Sequence, residues 1–498
     1  MSEFCPDEDD LPEGWALSAL ADVVDINPPK PKPDALPAAA PVSFLPMAAV
    51  SEEGIVTDPQ TRAFSEVRKG YTAFADGDVI LAKITPCFEN GKAALVGRLT
   101  NGLGFGSSEF HVLRSLGGLL PKFVFHYFHQ PAFRQDAAES MSGTAGQARV
   151  TTDYMRGLSI PLPPLAEQRR IVEKVEALLA QVNAARARLA KVPAILKRFR
   201  QSILATACSG RLAGRTIRDE DPCADWQEST LGQLLREPLR NGHSARASMN
   251  GSGVRTLTLS AVTYGDFSAE NTKLTIADPA KVSDLWLMPD DILIERSNTP
   301  DLVGTTRLYA GKRGFAIFPD LVIRARVRSN LILPRFVELC LCAPEGRTFF
   351  TDRAQGSSGT MPKIDQTIIE SFPILLPPRP EQHEIVRRVD ALFKLADAIE
   401  ARVAAATARA DKITQAILAK AFRGELVPTE AELARQRKDG GRDYEPASAL
   451  LARIRAARTA SEAAPKPARR LRVPAATPAP ARAKPARQRT NGRTARSR

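Results

Sequence analysis

Two segments of the chain, residues 163–212 and 377–426, carry the same pattern of apolar and polar positions, shifted by 214 residues without a gap. In each segment, apolar or small residues recur at steps of four and three, which is the heptad pattern of a long helix with one narrow apolar stripe. The stripe consists of Ile171, Val175, Leu178, Val182, Ala185, Leu189, Val192, Leu196, Phe199 and Ile203 in the first segment, and of Ile385, Val389, Leu392, Ala396, Ile399, Val403, Ala406, Ala410, Ile413 and Ile417 in the second. The pattern predicts two long helices, each about 60 Å in length, that can pair through their stripes.

A proline interrupts only the first stripe. Pro193 removes a backbone donor and crowds the preceding turn, so the first helix is expected to kink or break there. Thr407 occupies the matching position of the second helix, which should therefore be straighter. Heptads alone do not indicate a function, and a coiled coil that serves only for oligomerisation is an equally good interpretation of the two segments.

The duplication extends beyond the two helices. A strand-like run at 78–84 has its counterpart at 291–296, and in both an acidic residue precedes apolar positions and a cation follows them. Each run predicts a buried strand that places a basic residue, Lys83 or Arg296, at the edge of a sheet. The alternative is that either side chain only lays its aliphatic stem along the strand end.

Each half of the chain also has a loop rich in Gly, Ser and Thr, at 142–149 and 356–363. Such loops offer free backbone donors, and these two also carry Gln147, Arg149 and Lys363, which can bond to phosphates or to base edges. Arginine pairs well with guanine and glutamine with adenine. Taken singly, either loop is better explained as a plain surface turn.

Charge changes this picture only locally. Of the formal net charge of +13, residues 465–498 contribute 11 through two lysines and nine arginines, so the remainder of the chain is nearly neutral. A DNA site outside this tail must therefore be a local basic patch. The tail is rich in Pro, Ala and Arg and is predicted to be disordered. The chain has no apolar run long enough for a membrane span, and its acidic start is unlike a signal peptide, so a cytoplasmic location is expected.

The sequence lacks recognisable catalytic chemistry. Asn27-Pro28-Pro29-Lys30 has a lysine where the amino-methyltransferase motif needs an aromatic residue, and the chain has no phosphate-binding loop of the Gly-x-x-x-x-Gly-Lys-Ser/Thr type. The six cysteines are scattered and the five histidines form no ligand pattern, so no metal site is predicted. The chain is therefore predicted to be a non-catalytic binding component that holds no cofactor of its own.

The order of these motifs resembles the specificity subunit of type I restriction-modification systems. The resemblance covers roughly residues 11–460. It rests on Pro163-Pro164 and Pro377-Pro378, on the Glu-Gln helix starts at 167 and 381, on the Gln-x-Ile-Leu-Ala runs at 201 and 415, and on Gly424-Glu425-Leu426-Val427-Pro428. It implies a mixed α/β fold with two globular α+β target recognition domains, joined by two long antiparallel coiled-coil helices in a pseudo-two-fold internal duplication.

The resemblance also implies an organisation and a set of partners. The expected segments are a first target recognition domain at 11–164, a central spacer helix at 165–212, a second target recognition domain at 213–378, a distal spacer helix at 379–427, a short helical segment at 428–460 and a disordered basic tail at 461–498. The chain would bind double-stranded DNA at a bipartite site, two methyltransferase (modification) subunits and the restriction/translocase subunits. S-adenosylmethionine, ATP and Mg would be bound by those partners, which would methylate adenine at N6 and cleave DNA.

Two sets of residues follow from this interpretation. The predicted DNA contacts are Lys83, Gln147, Arg149, Arg296 and Lys363, and the predicted partner-binding residues of the helices are Glu167, Gln168, Ile171, Val175, Glu381, Gln382, Ile385 and Val389. Two alternatives remain at this point. The chain could be a coiled-coil scaffold without a DNA-reading role, or an enzyme whose site has no recognisable motif.

Overall fold

A computed structural model describes residues 8–143, 147–212, 225–249, 251–356, 361–436 and 444–463. The chain forms two compact units, a first unit of residues 1–174 with 418–498 and a second unit of residues 175–417. These boundaries fall inside the two long helices, whereas the expected recognition domains end where the helices begin. The predicted disordered tail lies outside the described residues except for 461–463.

The first unit contains three sheets. Its strands are Ala16–Ala19 (β1), Val24–Ile26 (β2), Pro41–Leu45 (β3), Gln60–Ala63 (β4), Thr72–Ala75 (β5), Val79–Ala82 (β6), Ala93–Leu95 (β7), Leu103–Gly106 (β8), Phe110–Ser115 (β9) and Ser159–Leu162 (β10). They pair in the orders β2-β9-β6-β7, β4-β3-β8-β5 and β1-β10. All pairs are antiparallel except β3 with β8. The short helices are Leu20–Val23 (α1), Phe64–Val67 (α2), Pro121–Phe128 (α3), Pro131–Glu139 (α4) and Thr152–Gly157 (α5).

The long helices follow the sheet-containing part of each half. The first is divided into Leu165–Leu189 (α6) and Val192–Cys208 (α7). Pro193 lies in the first turn of α7, so the predicted break is confirmed and the proline occupies a helical position where no backbone donor is needed.

The second unit repeats much of this arrangement. Its strands are Gln227–Thr230 (β11), Arg240–Asn241 (β12), Val254–Leu257 (β13), Thr272–Thr275 (β14), Ile292–Glu295 (β15), Thr306–Leu308 (β16), Val322–Ala325 (β17) and Pro373–Leu376 (β18). They pair in the orders β12-β17-β15-β16, β13-β14 and β11-β18. The remaining helices are Leu231–Leu234 (α8), Leu259–Tyr264 (α9), Pro334–Cys342 (α10), Pro344–Arg353 (α11), Gln366–Glu370 (α12), Arg379–Phe422 (α13), Glu430–Gln436 (α14) and Ala447–Ala463 (α15), of which α14 and α15 belong to the first unit.

The two long helices run in opposite directions where they contact each other in the second unit. Arg186 Nη2 lies 2.6 Å from Asp411 Oδ1, and Arg200 Nη2 lies 2.6 Å from Asp397 Oδ1. A later residue of the first helix thus pairs with an earlier residue of α13. With 44 residues in one uninterrupted helix, α13 is about 66 Å long at about 1.5 Å per residue.

The apolar stripe of α13 is not buried along its whole length. Ile385, Val389 and Ala396 are fully buried, but Ile413 is 42% exposed, contrary to the heptad prediction. A straight helix has 3.6 residues per turn, so a stripe written with a period of 3.5 rotates by about 20° per heptad. Thr414 takes the inward place beside Ile413, and its hydroxyl accepts a hydrogen bond from Arg186 at 3.1 Å.

An acidic residue anchors the central strand of the main sheet in each unit. Asp78, just before β6, receives two hydrogen bonds from Arg114 at 2.7 and 2.8 Å. Asp291, just before β15, receives two from Arg326 at 2.5 and 2.9 Å. Both aspartates are almost fully buried, and a buried carboxylate needs such a partner to remain charged. The predicted acidic turns are therefore structural.

The C-terminal helix completes the first unit. Leu450, Leu451 and Ile454 of α15 are buried, and Arg455 forms an ion pair with Asp22 at 2.6 Å. None of the helices in the described part of the chain is both long and apolar enough to cross a membrane.

Candidate nucleic-acid interface

The backbone of the first unit brings two predicted DNA contacts side by side. Lys83 follows β6 directly, and its N–H donates to the carbonyl of Glu109 at 2.9 Å. Its own carbonyl accepts from the N–H of Val150 at 2.9 Å, and the residue after Lys83 forms a bridge with Arg149. Arg149 is in turn held to Ser142 by two backbone hydrogen bonds of 2.9 and 3.1 Å. The strand end and the Gly/Ser/Thr loop therefore form one structure.

The second unit has the same arrangement. The N–H of Arg296 donates to the carbonyl of Leu321 at 2.9 Å, and the carbonyl of Arg296 accepts from the N–H of Ile364 at 2.8 Å. The residue after Arg296 forms a bridge with Lys363, and Lys363 makes two backbone hydrogen bonds with Gln355 at 2.8 and 2.9 Å. Each unit thus places one cation from a strand end beside one cation from a loop.

The electrostatics of the two sites differ. In the first unit, Arg149 Nε and Nη2 donate to the carboxylate of Glu109 at 2.9 and 3.1 Å. These hydrogen bonds and the positive charge of Arg149 lower the pKa of the Glu109 carboxyl, with a smaller contribution from Lys83. In the second unit, Leu321 occupies the place of Glu109. Among the described residues, Arg296 and Lys363 have no ion-pair partner, so the second site carries the greater net positive charge.

Exposure separates the predicted contacts into two groups. Gln147 and Lys363 are exposed, whereas Lys83, Arg149 and Arg296 are half-buried. The carbonyl of Gln147 accepts a hydrogen bond from Arg149 at 3.1 Å. The middle of each loop, residues 144–146 and 357–360, lies outside the described residues. Both groups leave polar side-chain atoms available to a ligand.

Glu109 was not predicted from the sequence. It lies 26 residues after Lys83 and 40 residues before Arg149. The pairing of β6 with β9 brings Glu109 to Lys83, and the bridge between Ile84 and Arg149 brings in the arginine. A single carboxylate in the turn before β9 gives no local signal of such a contact.

The acidic and amide residues at the helix starts face inward. The indole of Trp15 donates to Glu167 at 2.8 Å, and the indole of Trp226 donates to Glu381 at 3.0 Å. Glu167 also accepts from the backbone N–H of Glu430 at 3.0 Å. Burial raises the pKa of the Glu167 carboxyl, although both of these hydrogen bonds oppose that shift. Each glutamate thus ties the start of a long helix to the tryptophan that directly precedes β1 or β11.

The neighbouring glutamines bind backbone groups in the same way in both units. Gln168 accepts from Leu120 N–H at 2.9 Å and donates to the carbonyls of Gly118 and Pro163 at 2.8 and 2.9 Å. Gln382 accepts from the N–H of Leu333 at 2.8 Å and donates to the carbonyls of Leu331 and Pro377 at 3.0 and 2.9 Å. Both side chains are fully buried.

The predicted partner-binding side chains therefore require a correction. Glu167, Gln168, Ile171, Val175, Gln382, Ile385 and Val389 are at most 1% exposed, and Glu381 is half-buried against Trp226. A buried side chain cannot form a docking surface in this conformation. The polar Glu-Gln pairs looked like surface residues, but they satisfy backbone groups at the helix starts. Any docking surface on the helices consists of their exposed faces.

No metal centre is evident in the described ranges, since they contain no group of three or more His, Cys, Asp or Glu side chains placed to hold an ion. The cysteines described, Cys87, Cys208, Cys340 and Cys342, are free thiols. Cys5 and Cys223 lie outside the described residues.

Comparisons with known proteins agree on one class of protein. A family model described as the type I restriction modification DNA specificity domain matches residues 12–194 and 348–406. The type I restriction enzyme StySPI specificity subunit of Salmonella potsdam is 37% identical over 342 residues, which span 68% of this chain and 72% of that protein. The EcoKI specificity subunit of Escherichia coli (strain K12) is 35% identical over 352 residues, which span 70% of this chain and 74% of that protein.

Solved structures show a similar fold. A chain from a structure of the type I R-M system superposes with a TM-score of 0.67 at 24% identity, covering 83% of this chain and 99% of that chain. The HsdS subunit from Thermoanaerobacter tengcongensis superposes with a TM-score of 0.55 at 24% identity, covering 83% of this chain and 98% of that one. At these identities the likeness concerns the fold.

Proposed function

Because this chain belongs to the family of type I restriction enzyme specificity subunits and has that family's role in DNA sequence specificity, we propose that it reads a bipartite DNA site, one half-site with each unit. The resemblance recognised from the sequence is thereby confirmed. A scaffold without a DNA-reading role is not favoured, since the chain matches proteins named for their specificity.

The observation that carries the two-half-site proposal is the repeated placement of two cations by the same backbone bonds. Lys83 and Arg149 in the first unit, and Arg296 and Lys363 in the second, are presented by equivalent bridges between a strand end and a loop. Cations at fixed positions on rigid strands can hold the phosphate backbone in register, while Arg and Gln side chains contact base edges. Gln147 is the exposed amide beside the first pair.

The long helices are the proposed spacer between the half-sites. Two recognition domains joined by two antiparallel coiled-coil helices would form a pseudo-two-fold arrangement, in which half-site separation follows from protein geometry. The ion pairs of Arg186 and Arg200 with α13 support the antiparallel contact, and Leu196, which lies between them in the sequence, is buried.

Chemistry on the DNA is proposed to belong to partner subunits. In this proposal the chain binds two methyltransferase subunits and the restriction/translocase subunits through exposed faces of the helices. Those partners would hold S-adenosylmethionine, ATP and Mg, while this chain holds no cofactor and acts as a non-catalytic subunit of the complex. Its residues contribute by binding DNA and setting the register.

Mapping of N6-methyladenine across a genome tests this function. Cells that express the chain with its methyltransferase subunit should show a split motif with a fixed gap, and cells that express the methyltransferase alone should not. Arg296→Ala should relax recognition of one half-site only. An assembled complex that yields no split motif, or a substitution that weakens both half-sites equally, would contradict the proposal.

A further inference from the structure

Each unit also has an arginine on a hairpin of two antiparallel strands. Neither arginine was predicted from the sequence. In the first unit, Arg62 on β4 stacks over the ring of Phe44 on β3, with its Cζ atom 3.8 Å from the ring centroid. Its Nη2 atom donates to Gln60 Oε1 at 2.9 Å. The ring and the amide together fix the plane of the guanidinium group.

The second unit presents an arginine in the same way. Arg255 on β13 lies over Phe315, with Cζ 5.1 Å from the ring centroid, and its Nη1 atom donates to Thr272 Oγ1 at 2.8 Å. The aromatic ring comes from outside the hairpin here, whereas in the first unit it comes from the paired strand. Both units therefore combine a stacked ring with one side-chain hydrogen bond. The acceptor lies on the same strand as the arginine in the first unit and on the opposite strand in the second.

The two hairpins correspond residue by residue. Gln60 is paired with Phe44 in β3-β4, and Thr272 is paired with Leu257 in β13-β14. Because side chains alternate between the faces of a strand, Arg62, two residues after Gln60, lies on the same face as Gln60. Arg255, two residues before Leu257, lies on the corresponding face of the second hairpin. The acceptors Gln60 and Thr272 therefore hold equivalent positions.

The arginines nevertheless come from different strands. Arg62 lies on the second strand of its hairpin opposite Val42, whereas Arg255 lies on the first strand opposite Leu274. Simple descent from a duplicated sequence would keep the arginine on one strand. Instead, residues on different strands of the two hairpins supply a guanidinium group to the same face. This indicates that a cation on this face has a function in both units.

Both guanidinium groups keep most of their binding capacity. Each has five N–H donors, and each uses one of them in a side-chain hydrogen bond. Both side chains are half-buried, and within the described residues neither has a carboxylate partner. An arginine that served only to cover an aromatic ring with its stem would need neither the acceptor nor a fixed plane.

We infer that Arg62 and Arg255 are a second pair of DNA contacts, one for each half-site, held in a fixed plane before DNA arrives. This inference rests on the proposed function. The planar fork of donors matches the O6 and N7 atoms of guanine and the oxygens of a phosphate. The ligand is double-stranded DNA. A contact to guanine and a contact to a phosphate differ in whether lysine can replace the arginine.

The test uses the full chain in complex with its methyltransferase subunit. The half-sites are first mapped by methylation with the unaltered chain. Binding is then measured for Arg62→Ala and Arg255→Ala on duplexes that carry both half-sites, or either half-site with the other scrambled. The control is Arg353→Ala, because Arg353 also stacks on a phenylalanine, Phe349, at 4.0 Å, but lies on α11 outside either hairpin.

Arg62→Ala should weaken binding about 5- to 150-fold through one half-site, and Arg255→Ala by a similar factor through the other, as expected for loss of one bidentate contact. Arg353→Ala should leave both unchanged. Arg62→Lys and Arg255→Lys keep the charge and the stem over the ring, so retained affinity indicates a phosphate contact and lost base preference indicates a guanine contact. If an alanine variant has a lowered thermal midpoint of unfolding, the lysine variant at the same position tests the DNA contact instead.

The two levels of the proposal fail in different ways. If the unaltered chain directs no split motif, the proposed function is wrong. If the unaltered chain directs a split motif but Arg62 and Arg255 variants bind and methylate it like the Arg353 variant, the inference is wrong and the proposed function stands. Equal losses at both half-sites from either substitution would also overturn the inference.

Discussion

Substitution of Gln168 by alanine should destabilise the first unit strongly. The side chain is fully buried and makes three hydrogen bonds to backbone groups of Leu120, Gly118 and Pro163. Alanine would leave one buried N–H without its acceptor, at a cost of about 1–3 kcal/mol, and would remove two bonds to carbonyls worth about 1 kcal/mol each. The expected loss is about 3–5 kcal/mol, which is a large share of the 5–15 kcal/mol typical of a folded protein.

The measurement is chemical unfolding followed by circular dichroism, together with assembly on the methyltransferase subunit. Gln147→Ala is the control, because that exposed side chain should change stability by no more than about 0.5 kcal/mol. Gln382→Ala should reproduce the effect in the second unit, where the same three bonds exist. A loss below about 1 kcal/mol combined with failed assembly would refute the reasoning, since Gln168 would then be a docking residue rather than a structural one.

Three further outcomes are expected. Burial lowers the pKa of His129 to about 4, so the unfolded chain binds a proton before the folded chain does as the pH falls. The free energy of unfolding should therefore fall by about 3 kcal/mol between pH values of about 6.5 and about 4. His129→Leu should abolish this part of the pH profile of unfolding. Glu109→Gln should release Arg149 and make the dependence of log K on log salt steeper by about one unit, and an unchanged slope would contradict this. Leu196→Ala should cost about 2–4 kcal/mol in unfolding experiments, whereas Arg200→Ala, on the surface of the same helix, should cost less than about 1 kcal/mol.

The long helices could be predicted because their signal is local. A heptad stripe and the proline at 193 are contained within one segment, and the helices extend over the stripes and break close to that proline. The exposure of Ile413 escaped the pattern because it depends on how a straight helix rotates against its partner. The heptad period of the sequence gives no information about that rotation.

The candidate site could be predicted only in pieces. Lys83 and Arg149, or Arg296 and Lys363, were identified separately as a strand end and a loop residue, and their placement side by side comes from β-bridges between residues 65 or more positions apart. The buried Glu-Gln helix starts failed for a related reason. Polar residues at a helix start are usually exposed, but here the ends of neighbouring segments offer backbone groups that only the tertiary fold brings within reach.

In the proposed function, the differences between the units would let one backbone arrangement read two unlike half-sites. If both units presented the same side chains, two-fold symmetry would favour a palindromic site. Instead Lys83 of the first unit corresponds to Arg296 of the second, and Arg149 corresponds to Lys363. The carboxylate of Glu109 lies where the second unit has Leu321. The first unit thus combines two cations with one carboxylate, which accepts two hydrogen bonds from Arg149, while the second offers cations alone. Since each substitution leaves the backbone bridges intact, the duplicated scaffold can keep its register on DNA while the bases it selects diverge.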